Sequence, residues 1–262
     1  MMGMKYPMRL ATFNILHGRT VGDGVDVQDL ADCVRAIDAD VLALQEVDLE
    51  QPRSGMVDLT AVAAEAMGAV SHRFVAAIAG TPGATWIAAT GREQPGAAAY
   101  GISLLSRFPA ITWQVVRLPR VPFKFPMYLR GPNRVMVVDE EPRAAVIGRF
   151  ETPVGPLTVA NTHLSFVPGW NRHQLRRLAR DLGGHPGPHV LTGDLNLTSE
   201  AVGRCSKMRS LATSSTFPAH APEQQLDHIL TDDPGLVATD ARAPEMPISD
   251  HRPLIVDIQR RD

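Results

Sequence analysis

Short apolar runs recur from one end of this chain to the other, and they limit its possible folds more than any other feature. They are rich in β-branched residues, which is the pattern of β-strands rather than of long helices. Ten runs are predicted as strands: MRLATFNIL, DVLALQEV, HRFVAAIA, ISLLSRF, ITWQVVRL, RAAVIGRFE, LTVANTHL, HVLTGDLNL, LDHILT and RPLIVDIQ.

Three further segments have apolar residues at helical spacing. One follows Asp26, a candidate N-cap, and a second is an Ala-rich segment that begins near Asp58 and ends at Gly68. The third is WNRHQLRRLARDLGG, which ends at a pair of glycines. Many strands with few helices predict two packed sheets with helices outside. No linker, repeat or low-complexity tract divides the chain, so we expect one domain over residues 1–262.

The composition excludes several classes of protein. The chain has 262 residues, of which 44% are hydrophobic and 21% charged, and its net charge is −2. No global positive charge attracts it to nucleic acid or to an anionic membrane. Two distant cysteines, Cys33 and Cys205, do not form a disulfide framework. The sequence contains no signal peptide and no apolar run that could span a bilayer, so we expect a cytoplasmic protein.

Acids, amides and imidazoles interrupt six of the apolar segments. Any one of them is most simply a turn or cap residue. Together they are harder to explain, because burying such groups costs several kcal/mol unless they are paired or bind a metal. These residues are Asn14, Glu46, Asn161, His163, Asp194, Asn196, Asp227, Asp250 and His251.

If these side chains converge, they form a site of carboxylates and amides without cysteine. Such oxygen ligands suit Mg²⁺ or Mn²⁺ better than zinc. A zinc hydrolase is the weakest alternative, because the chain has no H-E-x-x-H motif. Imidazoles beside the metal can donate or accept protons near neutral pH.

The order and spacing of the motifs resemble the endonuclease/exonuclease/phosphatase (deoxyribonuclease I-like) superfamily. The resemblance covers nearly the whole chain and implies a four-layered α/β sandwich, in which two mainly antiparallel sheets lie face to face with helices on both outer sides. The motifs that carry it are TFNILHG, LQEVD, GISLLSRFP, EPRAAV, NTHLSF, GDLNL, LDHIL and SDHRPL.

The resemblance also implies roles for individual residues. Glu46 is expected to be the main metal carboxylate, with Asn14 and Asp250 close to the same ion. Asp194 is expected to orient or deprotonate the attacking water, and Asn196 to hold water or a phosphate oxygen.

The remaining roles concern the phosphate and the leaving group. His251 is expected to contact the scissile phosphate, with Asp227 fixing its orientation. His163 is expected to protonate the leaving oxygen or to stabilise the transition state, and its acidic partner stays open, with Glu93 a candidate. Arg143 is expected to bind phosphate; the alternative is an ordinary exposed strand arginine.

Two stretches rich in proline and glycine are expected to be surface loops: GTPGATWIAATGREQPG and RLPRVPFKFPMYLRGPNR. The second contains five basic residues, no acid and several aromatics, so it either meets a phosphate backbone or a lipid, or is simply a solvated loop. Its basic and aromatic residues are Arg117, Arg120, Lys124, Arg130, Arg134, Phe123, Phe125 and Tyr128.

The function expected from these residues is divalent-metal-dependent hydrolysis of a phosphodiester or phosphomonoester. The substrate stays open between nucleic acid, a nucleotide, a phospholipid headgroup and a sugar phosphate. His163, and His228 in QLDHIL, argue against AP-site cleavage, because AP endonucleases typically have aromatics there. A nuclease is one alternative, and a non-catalytic binding module on the same fold is another.

Overall fold

A computed structural model describes residues 7–20, 22, 24–129 and 134–261. The helices are α1 (Val27–Ile37), α2 (Leu59–Met67), α3 (Trp170–Leu182) and α4 (Ser199–Ser206). The strands are β1 (Met8–Asn14), β2 (Val41–Leu49), β3 (Ser71–Gly80), β4 (Trp86–Ala88), β5 (Ala99–Ser106), β6 (Ala110–Arg117), β7 (Phe125–Leu129), β8 (Arg134–Val138), β9 (Ala144–Phe150), β10 (Leu157–His163), β11 (His189–Asp194), β12 (Arg209–Ser210), β13 (Asp227–Thr231), β14 (Leu236–Arg242) and β15 (Leu254–Arg260).

All ten predicted strands and all three predicted helices are present, each with shifts of a few residues at its ends. The two stretches predicted as loops are only partly loops. The first contains the short strand β4, and the second leads into the hairpin of β7 and β8. Proline and glycine are frequent in both stretches, and that composition hid the short strands from a reading based on apolar runs.

The strands form two main sheets. The first has the order β14-β15-β1-β2-β5-β3-β4, and the second has the order β12-β13-β11-β10-β9-β6. Among the described strand pairs of these sheets, β1 with β2 and β10 with β11 are parallel, and the others are antiparallel. Each sheet therefore has one parallel pair near its centre, and both strands of such a pair end at the same edge.

Three apolar clusters separate the structure into four layers. The cluster between the sheets contains Leu104 and Phe150, both fully buried. Helices α1 and α2 cover the outer face of the first sheet, and α3 and α4 cover the outer face of the second. The fold is a four-layered α/β sandwich, as predicted from the sequence.

The helix caps follow from local sequence. The Asp26 carboxylate accepts a hydrogen bond from the backbone N–H of Gln28 at 2.8 Å, so it caps α1 as predicted. Asp58 caps α2 in the same way, and Gly68 ends α2 with φ of 68°. No helix among the described residues is long and apolar enough to cross a membrane.

Strand alternation directs the polar residues towards the interior. In β1, Leu10 belongs to the cluster between the sheets while Phe13 faces the helices. Thr12 and Asn14 share the face of Leu10 because side chains two residues apart lie on one side of a strand. The layer between the sheets is therefore apolar along most of its length and becomes polar where the strands end.

A buried cluster of amides and hydroxyls links the two sheets behind that polar end; we call it the sheet-bridging cluster, and it consists of Thr12, Gln45 and Asn161. Gln45 Nε2 donates to Asn161 Oδ1 at 2.7 Å and to Thr12 Oγ1 at 3.0 Å. Asn161 Nδ2 donates across the interface to the carbonyls of Leu44 at 2.9 Å and Ser103 at 2.8 Å. Asn161, which interrupts an apolar run, therefore has a structural explanation.

Candidate functional site

The polar residues meet where the parallel strand pairs end. Asn14, His163 and Asp194 are the last residues of β1, β10 and β11. Asp227 is the first residue of β13, which runs antiparallel to β11, so it lies opposite Asp194 at the same edge. The topology thus brings side chains from distant parts of the sequence to one place.

Glu46 reaches this edge through a β-bulge. The register between β2 and β5 shifts between Gln45 and Val47, and Glu46 has a left-handed φ of 57°. The shift lets Gln45 face the other sheet and Val47 face the helices, while Glu46 is only half-buried at the sheet edge. Bulges of this kind redirect a side chain beside many active sites.

One amide joins carboxylates from the two sheets. Asn14 Nδ2 lies 3.1 Å from Glu46 Oε1 and 3.1 Å from Asp194 Oδ2, and it donates to both. Asn14 Oδ1 accepts the backbone N–H of Leu16 at 3.1 Å, which fixes the orientation of the amide. The position of Asp194 relative to Glu46 is therefore set by a side chain that is itself 1% exposed.

Asp194 is buried among groups of both charges. Burial, followed by the negative charge of Asp227, raises the pKa of Asp194 to about 7. Its Oδ1 accepts the backbone N–H of Asn196 at 3.0 Å, and Asn196 itself has a left-handed φ of 49°. A carboxylate with a near-neutral pKa can both accept and return a proton at neutral pH.

The preceding residue, Gly193, permits the close approach of β10 and β11. Its φ is 135°, and a Cβ atom there would lie 1.9 Å from the carbonyl oxygen of Thr162. No larger residue fits without moving the backbone. The glycine of the GDLN motif is thus required by the strand packing that places Asp194.

His251 forms a buried pair with Asp227. The ring Nδ1 lies 2.9 Å from Asp227 Oδ2, and Nε2 lies 3.8 Å from Asp194 Oδ2. Burial opposes a charge on the imidazole, but Asp227, Asp194 and Asp250 outweigh it and raise the pKa of His251 to about 10. His251 is therefore positively charged at neutral pH, which makes it a hydrogen-bond donor and not a metal ligand.

Ser249 positions His251, and the sequence analysis gave it no role. Ser249 Oγ donates to the backbone carbonyl of Asn14 at 2.6 Å and accepts the backbone N–H of His251 at 3.0 Å. The segment before β15 is thereby tied to the end of β1. The ring of Phe217 packs against the imidazole at a centroid distance of 4.9 Å.

His163 is the second imidazole of the cluster. Its Nε2 lies 3.5 Å from Asp194 Oδ2. Burial and the positive charges of Arg143 and His251 hold the pKa of His163 well below its usual range, so the ring is neutral at neutral pH. Glu93, the candidate acidic partner, is a wrong assignment, because its carboxylate binds the backbone of Thr90 and Gly91 in a different cavity.

Arg143 is buried, so the alternative of an exposed strand arginine is wrong. It is 7% exposed and lies just before β9, where Nη2 is 3.4 Å from Glu140 Oε1. Its Nε is buried without a hydrogen-bond partner among the described residues. Glu140 also accepts the hydroxyl of Ser165 at 2.7 Å and the backbone N–H of Phe166 at 3.2 Å, so it fixes both Arg143 and the turn after β10.

Eight of the nine predicted site residues line one cavity of ≈ 570 Å³, and the ninth, Asp227, lies behind His251. The eight are Asn14, Glu46, Arg143, His163, Asp194, Asn196, Asp250 and His251. The sequence analysis missed Glu140, Glu141 and Tyr100, which also line this cavity. Glu140 lies directly before the EPRAAV motif and Glu141 is its first residue, where a run of acids resembles ordinary loop surface.

The charge of the cavity fits a divalent cation. Carboxylates of Glu46, Glu141, Asp194 and Asp250 all line it, and burial together with the charge of Glu46 raises the pKa of Glu141. Carboxylate and amide oxygens are the ligands that Mg²⁺ and Mn²⁺ prefer. Ligand atoms of Asp194, Asp227 and His251 also lie within 4.8 Å of one another. The charge on His251 makes that group a salt-bridged triad.

The residues of the basic stretch from Arg117 onwards lie in different surroundings. Arg117 donates to the backbone carbonyl of Ala76, away from the cavity of the site. Arg120 and Lys124 both pair with Asp139, so an acid from beyond the stretch partly neutralises them. Phe123 is exposed, and Arg130 lies outside the described residues. Phe125, Tyr128 and Arg134 belong to the strands β7 and β8.

Solved structures of known proteins share this fold. A solved endonuclease/exonuclease/phosphatase from Beutenbergia cavernae DSM 12333 has the same fold, with a TM-score of 0.71 at 22% identity over 97% of this chain and 72% of that chain. The human nocturnin catalytic domain, solved with a bound sulfate anion, has a TM-score of 0.63 at 18% identity over 98% of this chain and 94% of that one.

Sequence comparison gives the family. The UPF0294 protein VP2298 of Vibrio parahaemolyticus serotype O3:K6 (strain RIMD 2210633) is 31% identical over 133 residues, which are 46% of this chain and 47% of that protein. The match thus spans about half the length of this curated relative. The model of the Endonuclease/Exonuclease/phosphatase family matches residues 11–251. The chain therefore belongs to this family, whose members hydrolyse phosphoester bonds and generally use divalent metal ions.

Proposed function

We propose that this chain is a phosphoesterase that depends on Mg²⁺ or Mn²⁺ and hydrolyses phosphodiester or phosphomonoester bonds at the cavity of Glu46 and Asp194. One observation carries the proposal: Asn14 joins the carboxylates of Glu46 and Asp194 across the two sheets, at 3.1 Å from each. A purely structural amide has no need of two carboxylates in a cavity wide enough for a substrate.

Glu46 and Asp250 are the residues that would hold the ion, and Asn14, whose Nδ2 donates to Glu46 Oε1, would position the Glu46 carboxylate beside it. Asp250 is exposed, and Glu46 is half-buried at the rim of the same cavity. The bound ion supplies positive charge that neutralises the phosphate oxygens and the charge developing in the transition state. The excess of carboxylates in the cavity supports this assignment.

Asp194 activates the attacking water. Its pKa of about 7 lets it accept the proton that the water loses, and its hydrogen bonds from Asn14 and Asn196 fix its direction. Asn196 holds the water or a phosphate oxygen at the same end of the cavity. General bases contribute about 10²–10⁴-fold to a rate, so Asp194 supplies a large part of the chemistry.

The phosphate is held by groups that carry positive charge or an N–H. His251 donates to the phosphate as an imidazolium, with Asp227 holding its Nδ1. Arg143 directs its buried guanidinium, whose Nε has no partner among the described residues, to a phosphate oxygen. His163 is neutral, so it stabilises the leaving oxygen by hydrogen bonding, and the direct protonation considered from the sequence is the less suitable role.

Hydrolysis of bis-p-nitrophenyl phosphate tests the proposal. We expect turnover with Mg²⁺ or Mn²⁺, none with EDTA, and at least a hundredfold loss in Glu46→Gln with an unchanged circular dichroism spectrum. Glu65→Gln is the matched control, because Glu65 is an exposed glutamate of α2 far from the cavity. Full activity in Glu46→Gln contradicts the proposal.

A second readout separates the enzyme from a binding module on the same fold. A panel of phosphoesters comprising duplex and single-stranded nucleic acid, AP-site DNA, sphingomyelin and sugar phosphates is assayed with the native chain and Asp194→Ala. Turnover of any substrate that Asp194→Ala abolishes supports the enzyme. Binding of a phosphoester with no turnover under any metal supports the binding module.

A further inference from the structure

A second cavity, of ≈ 610 Å³, borders the cavity of the site, and we call it the Trp86 groove. The two share Ala84, Trp86 and Asp139 in their linings, so they are contiguous. The groove is lined by β4 on one side and by the segment of Arg120 and Lys124 on the other. A substrate whose phosphate lies beside Asp194 can extend directly into it.

The groove presents a flat ring together with positive charge. The guanidinium of Arg120 lies over the indole of Trp86, with 5.2 Å between its carbon and the ring centroid. Arg120 also pairs with Asp139, and Lys124 Nζ lies 3.4 Å from the same carboxylate. Two cations therefore share one acid, which leaves a surplus positive charge in this lining.

The two ends of the combined cavity differ in charge. Carboxylates dominate the end with Glu46 and Asp194, which suits the cation, whereas the Trp86 groove has a positive surplus. The ion pairs of Asp139 are exposed, with 40% of its side chain accessible and 66% of that of Lys124. Such pairs are weak in water, so an incoming phosphate can replace the carboxylate at little cost.

The geometry points to a nucleotide unit as the occupant of the Trp86 groove, next to the phosphoester that is cut. Its planar base stacks on the Trp86–Arg120 platform, and a phosphate of the same unit meets Arg120 and Lys124. This inference rests on the proposed function, and it narrows the substrate to nucleoside phosphates, either free or within a single strand. Sugar phosphates and phospholipid headgroups lack the planar ring that this platform accommodates.

Three p-nitrophenyl esters with the same leaving group test the platform. They are the ester of thymidine 5′-phosphate, p-nitrophenylphosphocholine and methyl p-nitrophenyl phosphate. We expect Trp86→Ala to lower kcat/KM about tenfold for the thymidine ester, mainly through KM, since stacking of one base contributes about that much. For the other two esters we expect less than a twofold change, and Trp86→Phe should retain most of the activity on the thymidine ester.

Arg120→Gln tests the positive charge. We expect it to weaken binding of a fluorescent (dT)₆ about fivefold to tenfold, measured by anisotropy in EDTA so that no strand is cut. Arg204→Gln is the matched control, because Arg204 is an exposed arginine in a surface ion pair with Glu200. Competition by thymidine 5′-phosphate distinguishes the two sources: equal affinity indicates a free nucleotide, and much weaker affinity indicates a strand.

Several results would overturn the inference. An equal effect of Trp86→Ala on all three esters would make Trp86 a structural residue, and an effect confined to p-nitrophenylphosphocholine would assign the groove to a choline headgroup. No loss of (dT)₆ binding in both Trp86→Ala and Arg120→Gln would also overturn it. If the native chain hydrolyses none of the esters but binds (dT)₆ in a way that depends on Trp86, the proposed function fails while the groove assignment stands.

Discussion

The sheet-bridging cluster and the candidate site are two polar clusters in the same layer between the sheets. They lie two residues apart along β1 and β10, and they differ in whether their side chains have all their hydrogen-bond partners. In the sheet-bridging cluster, the side-chain amides of Gln45 and Asn161 bond to each other, to Thr12 and to backbone carbonyls. In the site, Arg143 and His251 line an open cavity, and Arg143 Nε has no hydrogen-bond partner among the described residues.

This difference distinguishes polar groups that stabilise the fold from polar groups that act on a substrate or an ion. Asn161 and His163 lie on one face of β10, and both are buried. A polar group whose hydrogen bonds are complete stabilises the fold, because its desolvation is compensated. A group that stays incomplete in a cavity is available to a substrate or an ion. Stability should therefore depend on the first cluster and turnover on the second.

The largest expected effect is on turnover. Asp194→Asn should lower kcat for bis-p-nitrophenyl phosphate by about a thousandfold, because the amide cannot accept the proton of the water. The free energy of unfolding in EDTA should not fall, since the exchange removes a buried carboxylate whose charge the fold disfavours. Urea unfolding followed by circular dichroism measures it. More than a tenth of the native kcat in this variant would refute the role of Asp194.

For the sheet-bridging cluster we expect a loss of stability with little change in turnover. Asn161→Ala should lower the free energy of unfolding by about 3 kcal/mol, because it removes three buried hydrogen bonds: the two that Asn161 donates to the carbonyls of Leu44 and Ser103, and the one that it accepts from Gln45. Turnover per folded molecule should stay within about threefold of the native value, since no catalytic atom changes. A stability loss below about 1 kcal/mol would show that the cluster is not what ties the sheets together.

An intermediate loss of kcat/KM is expected at Glu140, which lines the cavity and holds Arg143 in place. Glu140→Gln should lower kcat/KM about tenfold, because the guanidinium and the turn at Ser165 lose a charged partner. Glu200→Gln, which breaks only an exposed ion pair with Arg204, is the matched control. Equal activity of the two variants would remove Glu140 from the positioning of Arg143.

The smallest effect concerns pH. Burial and the positive charge of Arg53 lower the pKa of His17 from 6.5 to about 4, and its Nδ1 has no hydrogen-bond partner within the described residues. The unfolded chain therefore takes up the proton first, and stability falls as the pH drops from about 6.5 towards 4.

We expect the free energy of unfolding in EDTA to fall by about 1 kcal/mol more in the native chain than in His17→Gln between pH 7 and pH 5. Using the difference between the two chains cancels the contributions of the other histidines. If the free energy of unfolding depended on pH in the same way in the native chain and in His17→Gln, His17 would be freely protonated in the folded chain.

The sequence was sufficient for the regular part of the fold because strand and helix periodicity is local. The ten runs and the caps at Asp26 and Asp58 depend on neighbouring residues, and the structure has them. It was insufficient for β4 and the β7–β8 hairpin, which are short and are formed by pairing with a neighbouring strand. Short strands of this kind have no periodicity to detect.

The sequence motifs identified which residues belong to the site. The hydrogen-bond partners of those residues are visible only in the three-dimensional structure. Ser249 resembled an unremarkable turn residue, and only its bonds to Asn14 and His251 give it a role. Glu140 and Glu141 resembled a solvated acidic run. Conversely, Asn161 interrupts an apolar run on the same strand face as His163, and its completed hydrogen bonds identify it as structural.

The amide of Asn14 connects a carboxylate of one sheet to a carboxylate of the other. The geometry of the site therefore depends on the relative position of the two sheets. Glu46 belongs to the first sheet and Asp194 to the second, so a small sliding of one sheet over the other separates them before any strand is lost. On heating or in mild urea, turnover should therefore disappear ahead of the circular dichroism signal. A turnover assay should then report a change in the packing of the two sheets earlier than spectroscopy does.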